Sequence, residues 1–264
     1  MALKSHLEKT ASGSAKNGGH RFAGRMTNIR SSIEPPTLGL APTARPVRDV
    51  RRRSDRQSWR GFSASHKIAA ASMGFCESVL EKDQHTLLSA DPSVVRFAVQ
   101  PHRLTYTLFD SRGRPVKRSY TPDAVVQQRD GRCVVLEVKA STFANGEPWR
   151  SREQVIRAAY KNDHGLDFVV MTEAQIRNQP RLDNCKIMLR HRTFTPDPTS
   201  LLIVRQVIGE AVSPTTIGAL LSAAEPIGGN RSRCFSAIMQ ITLAGEVAID
   251  MSVPLSDASS VSWL

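Results

Sequence analysis

Two apolar runs, residues 124–126 and 133–138, flank an Asp130-Gly131 pair. Asp-Gly between such runs predicts a tight β-hairpin, and their β-branched content favours strands over a helix. The polar positions inside it are unusual. Asp123 opens the first strand, and Glu137 and Lys139 close the second within an otherwise apolar run. Residues two apart on a strand share a face, so Glu137 and Lys139 project together, and folding the hairpin carries Asp123 toward the same end. Carboxylates beside an ammonium on a buried sheet are costly unless they hold a metal or do chemistry.

The pattern upstream is helical. Met73, Cys76, Leu80 and Leu87 recur at three-, four- and seven-residue steps and predict one helix over about 66–90, closed by Asp91-Pro92. Glu77 and Glu81 share a different face of it. Residues 94–99 and 104–109 read as strands, 110–115 as a turn, and 116–120 as the lead into the hairpin. After Lys139 come a loop over 140–146, a helix over 147–162 with Pro148 in its first turn, a buried strand over 166–172 and a short helix over 173–177. This order predicts an α/β fold, a mixed central sheet flanked by helices.

Residues 181–200 are rich in Pro and Arg and read as a connector containing one strand over 186–189. Beyond it, helices are expected over 201–210, from Ser213-Pro214 through 224, and over 232–243, with a strand over 246–251. Three short helices and a strand predict a small winged-helix-like unit over 201–264. Arg231 and Arg233 near its third helix could touch phosphate; equally, the unit could bind protein or pack on the first domain. The expected domains are an arm over 1–65, a catalytic core over 66–180, the connector, and this unit.

Charge adds a partner class. The 264-residue chain carries a net charge of +12. Residues 1–60 hold thirteen Lys and Arg against four Asp and Glu, so most of the excess sits in a Ser-, Gly- and Pro-rich stretch that reads as a basic flexible arm. A polyanionic partner follows, nucleic acid first. Arg51-Arg52-Arg53 could hold a phosphate backbone without sequence preference, or belong to a solvated tail. Four scattered cysteines form no C-x-x-C pair, and no apolar leader or membrane-length run is seen, so a reduced cytoplasmic protein is expected.

Thr121-Pro122-Asp123, thirteen residues, then Glu137-Val138-Lys139 matches the PD-(D/E)xK nuclease signature. A second Thr-Pro-Asp at 195–197 has no Glu-x-Lys after it, so the tripeptide alone means little. Together with residues 77–83, 91–97 and Gln100-Pro101, the signature resembles the TnsA-type endonuclease subunit of Tn7-like heteromeric transposases over about 75–177. Residues 243–255 resemble, more weakly, that family's C-terminal winged-helix domain. The arm has no counterpart in it.

The resemblance implies a restriction-endonuclease-like core and a Mg²⁺-dependent DNA endonuclease that cuts one strand at transposon ends. It implies one or two Mg²⁺ ions, double-stranded DNA, a DDE transposase subunit that acts on the other strand, and an AAA ATPase regulator contacted through the C-terminal region. The setting would be the bacterial cytoplasm, at the nucleoid during activity. Asp123 and Glu137 would be metal ligands, with a backbone carbonyl near Val138 as another. Mg²⁺ favours such hard oxygen donors. Lys139 would orient the attacking water and stabilise developing charge. Glu81 would complete the metal shell, with Glu77 as its rival. Gln154 and Arg157 could face DNA or solvent. The residues also allow plainer readings: solvated helix carboxylates at Glu77 and Glu81, an edge-strand ion pair of Glu137 and Lys139, and a turn residue at Asp123. A stand-alone restriction or repair nuclease, or a non-catalytic DNA-binding assembly factor of the same fold, are the competing functions.

Overall fold

A computed structural model describes residues 30–48, 61–69, 74–110, 112–193 and 195–263. Its centre is a four-stranded sheet of β4 (Val94–Val99), β7 (Ala124–Gln128), β8 (Cys133–Val138) and β9 (Asp167–Met171), in that spatial order. The expected hairpin is present: β7 and β8 pair antiparallel, Ala124 opposite Leu136 and Val126 opposite Val134. Gly131 in its turn has φ +84°, a conformation that explains the glycine of the Asp-Gly pair. β9 runs parallel to β8, which requires a crossover, supplied by α3 (Glu147–His164).

Alternation sorts the sheet's two faces. Val125, Val135 and Phe168 pack with Trp149, Ile156 and Tyr160 of α3. Val126, Val134, Leu136, Val169 and Met171 pack on the other side with Leu87 and Leu88 of α1 (Val79–Ala90). A second sheet, in the order β1-β5-β6, joins β1 (Ser32–Glu34), β5 (Arg103–Phe109) and β6 (Pro115–Tyr120).

Several expectations are corrected. The helix expected over 66–90 begins only at Val79, because Ser78 caps it by accepting the Glu81 N–H at 3.1 Å. Ahead of it, β3 (Gly74–Cys76) pairs with β2 (Gly61–Ser63), so Cys76 is a strand residue; Met73 lies outside the described residues. The loop over 140–146 contains a one-turn helix, α2 (Ser141–Ala144), and α4 (Glu173–Ile176) follows β9. The strand expected over 186–189 is part of helix α5 (Arg181–Arg190), where Leu182, Cys185 and Met188, three residues apart, bury one stripe.

Residues 30–48, read from the sequence as part of the flexible arm, instead lie against the core. β1 pairs with β5, Leu40 is buried, and the Val47 N–H donates to the Gln100 carbonyl at 3.0 Å. Gly39 is held at φ +69°, and a side chain there would collide with Pro101. Arg51-Arg52-Arg53 lie outside the described residues.

The C-terminal part contains α6 (Pro198–Glu210), α7 (Ile217–Ala224) and α8 (Arg231–Ala244). Asp197 of the second Thr-Pro-Asp caps α6. Residues 215–216, expected in a helix, form strand β10 (Thr215–Thr216), and Thr216 then caps α7. The strand expected over 246–251 shrinks to β11 (Ala248–Ile249), and β12 (Ser260–Ser262), absent from the sequence reading, pairs between β10 and β11. One apolar core runs from Leu87 and Leu88 through α5 to Val204, Leu221 and Ile238 of these helices. Among the described residues no helix is long and apolar enough to cross a membrane.

Candidate active site

Asp123 sits where the chain leaves β6 and enters β7. Its carbonyl accepts the Gln100 N–H at 2.9 Å, and its carboxylate accepts the Val138 N–H at 2.7 Å. The aspartate is thereby tied across the hairpin to the backbone between Glu137 and Lys139. Glu137 is 7% exposed, near the end of β8. Lys139 Nζ lies 3.1 Å from Glu137 Oε1, and the Tyr120 hydroxyl donates to Glu137 Oε2 at 2.5 Å. Lys139 is held from its other side, 4.0 Å above the Trp149 ring, and its N–H donates to the Met171 carbonyl. The structure therefore joins Asp123, Glu137 and Lys139 in one cluster, with the Glu137–Lys139 pair on an inner strand rather than the sheet edge.

Glu81 is in the first turn of α1. Its carboxylate accepts from the Glu77 N–H and the Ser78 hydroxyl, both at 2.9 Å, and so folds back over the start of the helix. No hydrogen bond links it to Asp123 or Glu137. Its influence is electrostatic: burial first, then the charges of Glu137 and Glu81, push the Asp123 carboxyl well above the usual carboxylate range. Burial also raises Glu81. Glu77 is committed elsewhere, accepting two hydrogen bonds from Arg48 at 2.5 and 2.6 Å.

A buried carboxyl beside two other carboxylates needs a proton or a cation. Among the described residues, however, no group of three Asp, Glu, His or Cys side chains is placed to hold a metal ion. Mg²⁺ does not require one, since it keeps several waters and is held by one or two carboxylates with the substrate's phosphates. Asp123 and Glu137, hard oxygen donors at one strand end, fit that mode. Glu81 is joined to them through its charge at Asp123.

Among the described residues no hydrogen bond or ion pair joins the other candidates to Asp123, Glu137 or Lys139. Arg157 is engaged by Glu153 at 2.6 Å and by the Phe168 carbonyl, while Gln154 is exposed on α3. Arg231 pairs with Glu225 and Asp257, and Arg233 lies 3.6 Å from Asp197. Sequence reasoning missed three residues of the site's surroundings: Tyr120, Trp149 and Arg48. Tyr120 directly precedes the Thr-Pro-Asp and was within sight; Trp149 and Arg48 carried no local signal.

Residues 91–173 match the family model described as TnsA-like endonuclease N terminal. This segment is similar to a TnsA-type nuclease domain. No curated protein matches the chain. The TnsA-like segment contains Asp123, Glu137 and Lys139, and also Tyr120 and Trp149. It begins after Glu81 and ends before α5, so neither α1 nor the C-terminal unit is covered by the match.

Proposed function

We propose that this chain is the Mg²⁺-dependent DNA endonuclease subunit of a Tn7-like transposase, hydrolysing one strand at the transposon ends. The observation that carries the reading is the cluster of Asp123, Glu137 and Lys139 at the β7–β8 hairpin inside a TnsA-like domain. Asp123 and Glu137 would hold the metal, which when bound supplies an activated water and offsets charge on the phosphate. The protein's own residues set up the rest. The Val138 N–H fixes the Asp123 carboxylate, Tyr120 fixes Glu137, and Trp149 directs the Lys139 ammonium. Lys139 is suited to orient the attacking water and to stabilise the charge that develops on the scissile phosphate. Glu81 stays a candidate third ligand; its charge at Asp123 supports that place better than Glu77, which Arg48 engages.

The same reading takes double-stranded DNA, a DDE transposase subunit and an AAA ATPase regulator as partners, in a bacterial cytoplasm. Three helices with a sheet in the order β10-β12-β11 support a winged-helix unit at the C-terminal end. The ion pairs that occupy Arg231 and Arg233 favour protein docking over phosphate contact there. The test is Mg²⁺-dependent nicking of transposon-end DNA, with and without the neighbouring transposase, by the wild type and by Asp123→Ala and Lys139→Ala. Loss of nicking in both variants is expected. Nicking or transposition that survives both changes leaves only the non-catalytic reading.

A further inference from the structure

The β5–β6 hairpin leads into the candidate site and carries a positive charge that its own acids do not offset. Residues 103–120 contain Arg103, Arg112, Arg114, Lys117 and Arg118 against one acid, Asp110. Asp110 is used within the turn: its carboxylate accepts the N–H groups of Arg112 and Arg114 and pairs with the Arg114 guanidinium, each at 2.9 Å. Arg103, at the other end, stands opposite Glu34 of β1. Arg112, Lys117 and Arg118 remain. All three are exposed, and no ion pair among the described residues involves them.

Isolated surface cations are ordinary; the placement of these is not. β6 is an edge of its sheet, so one side of the strand is open among the described residues. Alternation puts Arg118 on the same face as Tyr120, the residue that holds Glu137. Arg152 of α3, also exposed, lies 5.6 Å over the Tyr120 ring. Cations therefore follow one another along the hairpin, past Tyr120, to Lys139. A strand advances about 3.3 Å per residue, so Arg118 stands roughly 7 Å from Tyr120 on its own face, and Lys117 roughly 10 Å along on the opposite face of the ribbon. That reach matches the phosphates just beyond one seated at the site. A two-stranded ribbon is also one of the shapes that fit the major groove of B-form DNA.

We propose that the β5–β6 hairpin is a DNA-backbone clamp, with Arg112, Lys117 and Arg118 holding phosphates that flank the bond presented to Asp123, Glu137 and Lys139. The proposal rests on the nuclease reading and adds the surface by which the duplex is gripped. An acidic protein partner on this hairpin is the competing occupant.

The test measures affinity of the full chain for a short duplex across 50–200 mM salt without divalent metal. Each phosphate contact contributes about 0.9 to the slope of log affinity against log salt. The Arg112→Gln, Lys117→Gln, Arg118→Gln triple variant is expected to flatten the slope by about 2–3, and Arg118→Gln alone by about 0.9. A control triple, Lys161→Gln, Lys186→Gln and Arg205→Gln, removes the same charge from α3, α5 and α6 and is expected to change the slope by less than about 1. Equal effects of the two triples, or an unchanged slope in both hairpin variants, overturn the clamp. If the wild type binds and nicks DNA while the hairpin variants keep its slope, only the clamp falls. If the wild type neither binds nor nicks, the nuclease reading falls with it.

Discussion

At the scale of single residues, the site depends on how two carboxylates are held. Tyr120 donates to Glu137 at 2.5 Å, and both are buried, so Tyr120→Phe leaves a carboxylate short of one strong hydrogen bond. Such bonds to charged groups are worth about 1.5–3 kcal/mol, so Mg²⁺-dependent cleavage is expected to fall roughly 10- to 100-fold with the fold intact. An unchanged rate would show that Tyr120 does not set the position of Glu137. Asp123 gives a test of opposite sign on stability. Its folded pKa lies above its unfolded value, so the folded state keeps a proton that the unfolded chain releases. Stability from this group is therefore lost as pH rises above the unfolded value, so at neutral pH holding Asp123 in this setting is a net cost. Asp123→Asn keeps an acceptor for the Val138 N–H and is expected to raise the melting temperature in metal-free buffer by about 2–4 °C per kcal/mol relieved, while abolishing cleavage. A lower melting temperature would mean that the carboxylates are not in repulsion.

At the scale of elements, α1 and the approach to β5 each bury a histidine. Burial lowers both His85 and His102 from 6.5 to about 4, with His164 adding to the effect at His102. Between those values the unfolded chain binds protons that the folded protein does not. Stability is thus complete above pH 6.5 and is lost as pH falls toward 4. Melting scans should show this acid limb, and replacing both residues by Gln should flatten it; an unaltered limb would assign it to other groups. The elements also show what was legible in advance. The β7–β8 hairpin was readable because Asp130-Gly131 and the alternation of Val125 and Val135 with Val126 and Val134 are local signals. Asp123, Glu137 and Lys139 came with it, since their positions follow from the register. The start of α1 was obscured because the Met73–Cys76 step mimics helical spacing, although Ser78-x-x-Glu81 is a capping signature. The sequence could not show that Arg48 would engage Glu77, that Trp149 would lie under Lys139, or that Ser32–Glu34 would join β5. Those contacts are made across the fold, and nothing near them in the chain announces them.

At the scale of the whole molecule, the basic excess of residues 1–60 divides into two parts. Residues 30–48 are structural: β1 covers β5, Leu40 fills the core, and Arg48 reaches Glu77 beside the first turn of α1. Deleting residues 1–60 is therefore expected to lower the melting temperature, which confounds any loss of DNA affinity. Neutralising Arg51, Arg52 and Arg53 in the full chain is the cleaner probe. If they meet phosphate, the salt slope flattens by about 0.9 for each phosphate they no longer neutralise, and an unchanged slope would place them away from DNA. The central claim concerns the cluster that this frame supports: a TnsA-like domain whose Asp123, Glu137 and Lys139 cleave DNA with Mg²⁺. Its most direct test is nicking of transposon-end DNA in the presence of the partner transposase, comparing the wild type with Asp123→Ala. The expected result is Mg²⁺-dependent nicking by the wild type and none by the variant; equal nicking by the two proteins would contradict the claim.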